Sequence, residues 1–219
     1  MEFSVKKFDL LEELNLTQGV VERKTTIPIL SNILCEAKGN RLTITATDLE
    51  LSIRTSCDAK VKKEGAGTIP AKKLLELIRL LPEEEIKFKL LENHWVHITS
   101  DRRNYKLVGM SKDNFPALPT FPHALVKIPA KLLADVIAKT TFAISLEESR
   151  YTLNGALMVL KPGSLTMVAT DGHRLAMVET DHKFEGFSTE TRVLVPKKAM
   201  TEIQRLAAES GDDAQVEFA

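Results

Sequence analysis

"TATDLELSI" at residues 45–53 and "VATDGHRLAM" at residues 168–177 share the tripeptide Ala-Thr-Asp. The two copies of this tripeptide begin at Ala46 and Ala169, so they lie 123 residues apart. A shared tripeptide is weak by itself, but a constant spacing at several places indicates an internal repeat. The same spacing recurs elsewhere in the chain.

Three further pairs of segments follow in the same order. Two of them keep the spacing of 123, and the last has drifted to 126, which one short insertion explains. The pairs are "VKKFDLLEE" from Val5 with "IPAKLLADV" from Ile128, "ILSNIL" (29–34) with "TLNGAL" (152–157), and "IPAKKLLELIRLL" (69–81) with "VPKKAMTEIQRLA" (195–207). Four matches in one order predict two copies of a single structural unit.

Each unit is predicted to be α+β, with antiparallel sheets and two helices. After a short opening strand, apolar residues at helical spacing predict a first helix (Leu10, Leu11, Leu14, Val21). Pro70 is suited to the first turn of a second helix, which is predicted to end at Pro82. The apolar face of this helix consists of Leu74, Leu75, Ile78 and Leu81. Alternating apolar residues and turn signals predict strands at 29–37, 41–47, 49–57, 86–91, 95–99 and 105–109.

The proline-rich segment "NFPALPTFPHA" (114–124) is typical of a domain boundary. It divides the chain into a first unit, 1–122, and a second unit, 123–219. "QVEFA" at 215–219 aligns with "IKFKL" at 86–90, which leaves no residues for the counterparts of the last two strands. We therefore expect the second unit to be incomplete at its C-terminal end.

Composition narrows the class of protein. The content of hydrophobic residues (43%) and charged residues (27%) is that of a folded globular protein. A net charge of zero excludes a protein that binds nucleic acid with its whole surface, but it allows one basic face.

Cys35 and Cys57 lack metal-ligand spacing and are expected to be buried free thiols. The chain has no membrane-length apolar run and no signal-peptide core, so we expect a cytoplasmic protein without membrane contact.

Three of the four predicted helices share a charge pattern. Counted from the proline at the start, an acidic residue stands at +6 and a basic residue at +9 or +10, with lysines near the start. The acidic residues are Glu76, Asp135 and Glu202, and the basic ones are Lys72, Lys73, Arg79, Lys131, Lys139, Lys197, Lys198 and Arg205. These are either solvated outer faces or a thin basic stripe that makes sequence-independent phosphate contacts with DNA.

Asp171, His173 and Arg174 have the residue types of an acid/base site. The Thr-Asp pair also occurs at 47–48, without a following His or Arg, which favours a role in a turn between two strands. The chain has no HExxH, P-loop, GxSxG or GxGxxG motif. Two interpretations remain: a hydrolase that uses Asp171 and His173, and a pocket that binds a protein or ligand.

The motifs "TIPILSNIL", "TATDLELSI", "IPAKKLLELIRLLP", "DNFPALP", "RYTLNGAL" and "VATDGHRLA" resemble those of the bacterial DNA polymerase III β subunit, the replicative sliding clamp. The resemblance extends over the whole chain. It implies three similar domains per subunit, of which this chain holds the first and most of the second, with the third absent. It also implies a head-to-tail dimeric ring around duplex DNA, with helices lining the hole and sheets outside.

The resemblance implies site residues for three surfaces. A pocket receives a short motif from the polymerase α subunit, the clamp loader and other partners: Arg150, Leu153, Thr170, Gly172, His173, Arg174 and Leu175. Lys24 and Tyr151 match positions of the family's DNA contacts. Together with the cations of the helices they form the expected DNA-facing surface. The ring-closing edge is expected at Lys73, Arg102, Tyr105 and Leu107.

The chain departs from the family pattern in three places: position 24 is commonly Arg, Glu147 replaces a Gln of some members, and Thr152 stands where a second Tyr can occur. A carboxylate at 147 is expected to repel phosphate. The resemblance implies no cofactor and no catalysis. The alternative is a stand-alone peptide-binding module that does not encircle DNA, and this chain by itself is expected to be monomeric.

Overall fold

The computed structural model describes residues 1–21, 26–82, 85–147 and 149–219. Within them the chain forms two compact units, Met1–Leu118 and Pro119–Ala219. In the part of the chain that the structure describes, no helix has the length and apolar character needed to cross a membrane.

The first unit contains nine strands and two helices among its described residues. The strands are β1 (Glu2–Lys6), β2 (Asn32–Lys38), β3 (Arg41–Thr47), β4 (Ser52–Asp58), β5 (Lys60–Lys63), β6 (Gly65–Pro70), β7 (Glu85–Leu90), β8 (Trp95–Ser100) and β9 (Arg103–Val108), and the helices are α1 (Lys7–Thr17) and α2 (Ala71–Leu80). They form a five-stranded sheet in the order β5-β1-β7-β8-β9 and a four-stranded sheet in the order β4-β3-β2-β6.

The second unit repeats this plan on a smaller scale. Its strands are β10 (Val126–Pro129), β11 (Gly155–Lys161), β12 (Ser164–Thr170), β13 (Leu175–Asp181), β14 (Thr191–Pro196) and β15 (Gln215–Phe218), and its helices are α3 (Ala130–Ala138) and α4 (Lys197–Glu209). The sheets are β10-β15 and β13-β12-β11-β14. Every strand pair described in either unit is antiparallel.

Each unit closes around one core in which sheets and helices bury their apolar faces. In β7, Ile86 and Phe88 point inward while Lys87 and Lys89 are exposed, which is the period-two pattern of a half-buried strand. The Phe88 ring stacks on Phe3 of β1, with 4.9 Å between ring centroids. The two helices of each unit also pack against each other. The predicted α+β class is therefore confirmed.

The internal repeat has a direct structural counterpart. β2, β3 and β4 have the same lengths as β11, β12 and β13, and their bounds differ by the 123 residues read from the sequence. β6 and α2 likewise begin 126 residues before β14 and α4. The drift arises between β13 and β14, where Phe184 and Phe187 enter the core of the second unit in place of a strand like β5.

Several predicted boundaries were wrong. The strand expected at 29–37 is a 3-10 turn at Pro28–Ser31 followed by β2. β4 begins only at Ser52, because the preceding residues form a turn in which Leu49 has a φ of 81°. Pro70 ends β6 and immediately precedes α2. Helix α1 ends at Thr17, so Val21 lies outside it.

The alignment of the last strand was wrong by one residue. Ile86 pairs with Val5, and Val216 pairs with Ile128 in the second unit. Because Val5 corresponds to Ile128, β7 corresponds to β15 at a spacing of 130, whereas the sequence alignment used 129. A slip of one residue exchanges the two faces of a strand, so the sequence alignment would have put Gln215 at the buried position of Ile86.

Cys35 and Cys57 are free and buried, as predicted. Burial raises the pKa of each thiol to about 12, with nearby negative charge adding to the effect. The thiolate is the reactive form of cysteine, so both side chains act as small apolar groups in the first core.

Candidate functional site

The tight turn between β12 and β13 is held by its own side chains. The Thr170 hydroxyl donates to the carbonyl of Arg174 (2.7 Å) and accepts the N–H of Gly172 (3.1 Å). The Asp171 Oδ1 accepts the backbone N–H groups of His173 and Arg174, each at 3.0 Å. These bonds fix the positions of Gly172, His173 and Arg174 before any ligand arrives.

The first unit contains the same turn with the same hydrogen bonds. The Thr47 hydroxyl donates to the carbonyl of Leu51 and accepts the N–H of Leu49, while the Asp48 Oδ1 accepts the N–H groups of Glu50 and Leu51. Leu49 takes a φ of 81° where the second copy has Gly172 at 91°. Since glycine adopts this conformation without strain, the second turn is the more relaxed one. The interpretation of Thr-Asp as a turn motif is therefore confirmed.

Both carboxylate oxygens of Asp171 are engaged within the turn. Its Oδ2 accepts the Nε–H of Arg174 at 3.0 Å, in addition to the backbone bonds at Oδ1. The backbone N–H groups of His173 and Arg174, followed by the Arg174 guanidinium, lower the pKa of Asp171 to about 2. A carboxylate with this pKa is a poor general base near neutral pH. This geometry disfavours a hydrolase built on Asp171 and His173.

The loop before β11 brings one further predicted residue, Arg150, to the turn. A Cβ placed on Gly172 would lie 3.7 Å from Nη1 of Arg150, so the guanidinium lies beside the turn. The predicted residue Leu153 lies in the same loop, where its N–H donates to the Arg150 carbonyl at 2.9 Å. Glu147 forms an ion pair with Arg150, with Oε2 and Nε 2.7 Å apart. The structure thus joins the predicted loop and turn through Arg150.

Phe142 belongs to this site but was not predicted from the sequence. It lies in the 3-10 turn Thr141–Ala143, and the Arg174 guanidinium carbon is 5.7 Å from its ring centroid. This is a cation–π geometry that limits where the Arg174 side chain can point. The repeat offered a signal: the position 123 residues earlier is Gly19, so the Phe is specific to the second copy.

The rim of the site combines exposed apolar groups with positive charge. Leu175, at the start of β13, is 63% exposed and Phe142 is 58% exposed. Arg174 lies against the Phe142 ring, and Arg150, His173 and Arg174 are also exposed. A separate cavity of about 710 Å³ in this unit lies beside β10 and the segment His182–Gly186, and none of the predicted pocket residues lines it. The turn therefore forms an open rim suited to an apolar side chain with polar flanks.

The helix cations predicted to face DNA are mostly paired within the protein. Lys24 lies outside the described residues. Tyr151 is 83% exposed, Lys198 is exposed, and Lys197 is half-buried at the start of α4. The pairs are Lys72–Glu76 (3.9 Å), Lys131–Asp212 (2.7 Å), Lys139–Asp135 (2.6 Å), Arg205–Glu202 (2.8 Å) and Arg205–Glu209 (3.5 Å), while Arg79 donates to Asn15 (3.0 Å).

The residues predicted for ring closure lie on or near one sheet edge. Tyr105 and Leu107 belong to β9, which is the last strand of the five-stranded sheet. Both side chains pack on the first core and are half-buried. Lys73 is exposed in the first turn of α2, and Arg102 is exposed in the turn before β9. An edge strand with unpaired backbone groups can pair with another strand.

Titration of Asp171 should change the turn only at strongly acid pH. Its pKa is lowered to about 2, from an unfolded-chain value of about 3.9. A depressed pKa means that the bonds stabilise the turn fully above the unfolded value and are lost as the pH falls through about 2. We expect the amide NMR shifts of His173 and Arg174 to titrate with this low midpoint, and those of the Asp171→Asn variant to stay constant over this range. A midpoint near 4 would contradict the assignment.

Family models match nearly all of the chain. The DNA polymerase III beta subunit N-terminal domain matches residues 1–119, and the central domain of the same subunit matches residues 127–219. The chain is 37% identical to the "Beta sliding clamp" of Chlamydia muridarum over 95% of its own length and 57% of the relative's. It is 34% identical to that of Pseudomonas aeruginosa over 99% of the chain and 59% of the relative.

Solved structures give the same result. The Caulobacter crescentus pol III beta structure superposes with a TM-score of 0.92 at 35% identity, over 100% of this chain and 61% of that one. The DNA polymerase III subunit beta of Pseudomonas aeruginosa gives a TM-score of 0.90 at 34% identity, over 98% and 58%. The chain thus spans roughly three-fifths of the length of the relatives it matches.

Proposed function

The chain belongs to the DNA polymerase III β subunit family, and from this we propose that it forms part of a sliding clamp. Such a clamp encircles duplex DNA and tethers the replicative polymerase, giving processivity by topology without chemistry of its own. Residues 1–122 and 123–219 would supply the first two clamp domains. A third would come from the remainder of a chain of the relatives' length. We assign this activity to the cytoplasm.

The observation that supports a partner-binding role best is the preformed turn beside Leu175. Its hydrogen bonds engage Thr170 and Asp171, and so fix the backbone that carries Leu175. A short peptide with an apolar anchor would bury Leu175 and Phe142, and Arg150 and Arg174 would meet its acidic or carbonyl groups. The polymerase α subunit, the clamp loader and other motif-bearing proteins are the proposed partners. Little ordering would be needed on binding, which favours affinity.

Replacing Leu175 by alanine should weaken binding of a partner peptide without affecting the fold. Leu175 is 63% exposed in the free chain, so its burial occurs only on binding. Losing the contact is expected to cost about 1–2 kcal/mol, which corresponds to a rise in Kd of roughly 5- to 30-fold. Fluorescence anisotropy of a labelled peptide would measure it. Leu80→Ala is the matched control, because Leu80 is 80% exposed on α2 in the first unit and should leave Kd unchanged.

DNA contact is proposed to be weak and independent of sequence. The helix cations that would face a duplex already have partners, as Lys139 has in Asp135 at 2.6 Å. Each phosphate contact therefore replaces an existing ion pair and gains little net free energy. Glu147 is held by Arg150, which lowers the repulsion it would exert on a phosphate nearby. Retention on DNA would rest on the closed ring.

Ring closure is proposed to use the edge strand β9 with Lys73 and Arg102, in a homodimer of chains of the relatives' length. The complementary surface would belong to the third domain, so the 219-residue chain by itself is expected to be monomeric. Analytical ultracentrifugation of this chain would measure its mass in solution, and the mass of a dimer would contradict this expectation.

Topological retention tests the proposed function. A chain of the relatives' length, loaded onto nicked circular DNA by a clamp loader, should stay bound and should be released when the circle is cut. Equal dissociation from circular and linear DNA would contradict encirclement. If peptide binding persisted in that case, the protein would be a stand-alone peptide-binding module.

A further inference from the structure

The solvent face of the five-stranded sheet carries a concentration of positive charge. Its outward positions hold seven lysines and two glutamates, although the chain as a whole has a net charge of zero. The lysines are Lys6, Lys60, Lys62, Lys63, Lys87, Lys89 and Lys106, and the glutamates are Glu2 and Glu85. None of these residues belongs to the turn or to the helix faces discussed above.

Both glutamates are engaged with lysines at the β5 side of the sheet. Glu2 forms an ion pair with Lys62 at 2.9 Å, and Glu85 forms one with Lys60 at 2.7 Å. Lys87, Lys89 and Lys106 have no ion pair with any described residue. Lys89 still lies close enough to Glu2 to affect its pKa, but the shorter contact of that carboxylate is to Lys62. Lys6 and Lys63 also have no ion pair with a described residue, and the three lysines are the unpaired ones on β7 and β9.

These side chains are arranged in register across neighbouring strands. Lys89 of β7 lies opposite His97 of β8, and His97 lies opposite Lys106 of β9. Neighbouring strands are about 4.8 Å apart, so the two lysines are separated by roughly 10 Å. Like charges close together on one sheet face destabilise it slightly. A bound anion would remove that cost.

An exposed tryptophan stands at the end of this row. Trp95 begins β8, is 42% exposed and pairs with Val108. It lines a surface groove of about 670 Å³ with Lys89, Leu90, Leu91, Glu92 and Lys106. A large aromatic side chain next to unpaired lysines is the combination used by surfaces that bind single-stranded nucleic acid, where bases stack on rings and lysines meet phosphates.

We propose that the solvent face of the five-stranded sheet, through Trp95, Lys87, Lys89 and Lys106, binds single-stranded nucleic acid without sequence preference. An acidic peptide is the competing occupant. It fits less well, because the groove is open and offers no enclosed pocket for an apolar anchor. Stacking on an exposed ring needs no pocket. This site goes beyond the proposed clamp function, since a base stacked here would be outside any helix-lined channel.

Trp95 is the single tryptophan of the chain, so its fluorescence reports on this groove alone. The 219-residue chain is titrated with oligothymidylate of roughly a dozen nucleotides at low salt. We expect saturable quenching, and log Kd should rise with log salt with a slope of about 2, as three phosphate contacts require. No quenching, or a slope near zero, overturns the proposal.

A charge-matched pair of triple variants locates the site. Lys87→Gln, Lys89→Gln and Lys106→Gln together should weaken binding by about tenfold or more. The control changes Lys112, Lys161 and Lys183 to Gln; these are exposed lysines outside the five-stranded sheet, and Kd should stay within about twofold. Equal loss in both variants would mean that net charge alone drives binding. Quenching by an acidic decapeptide but not by oligothymidylate would assign the face to a protein partner. Either result overturns the proposal.

Discussion

Phe88→Ala is expected to lower the free energy of unfolding of the first unit by about 3–5 kcal/mol. The side chain is 1% exposed and stacks on Phe3 at 4.9 Å between centroids, at the junction of β1 and β7. Truncation leaves a cavity in a core whose backbone is held by strand pairing on both sides, so the site can collapse only partly. Urea denaturation followed by circular dichroism measures the change.

Phe8→Ala is the matched control for this variant. Phe8 is also in the first unit, in helix α1, but it is 69% exposed. Its replacement is expected to change stability by less than about 0.5 kcal/mol. If the two variants were equally stable, the core of the first unit would not be where the structure puts it.

Gly109→Ala is expected to destabilise the first unit by about 3 kcal/mol, at the upper end of overpacking effects. A Cβ at this position would lie 1.9 Å from the backbone carbonyl oxygen of Thr68, and only a backbone shift can relieve that clash. The shift would break the bonds of the next residue, Met110, whose N–H donates to the Thr68 hydroxyl and whose carbonyl accepts from it, each at 2.9 Å.

Hydrogen exchange at the Met110 amide gives this prediction a local readout. Exchange should accelerate in Gly109→Ala, and the small apolar cluster of Ile29, Leu30 and Phe115 should loosen with it. Gly163→Ala serves for comparison, because a Cβ there meets nothing within 4 Å. Protection of Met110 that matched the unsubstituted chain would rule out the close approach of Gly109 to Thr68.

The sequence predicted the parts of the fold that depend on repetition and periodicity. β2 to β4 and β11 to β13 were related by the repeat, and the turn role of Asp171 followed from its presence in both copies. β5 and β6 were missed. β5 has only one inward residue, Val61, among lysines, and β6 contains Gly65 and Gly67, which are uncommon in strands.

Contacts between segments that are far apart in the chain could not be predicted from the sequence. A Cβ at Gly67 would come within 3.1 Å of the Leu90 side chain, a close approach that no local pattern in the sequence reveals. Phe142 and Arg174 meet through tertiary structure. The ion pair Lys131–Asp212 joins residues of no common motif. Residue types predict the secondary structure that a segment can form. Which distant side chains come into contact depends on the packing of the whole unit.

The carboxylates beside the helix cations have a consequence for motion along DNA. If Lys139 faces DNA as proposed, a phosphate would gain it only as Asp135 releases it, so the potential wells at successive phosphates would be shallow. Diffusion in a shallow periodic potential meets little friction, because each step crosses a low barrier. A clamp built this way would follow a polymerase with little electrostatic drag.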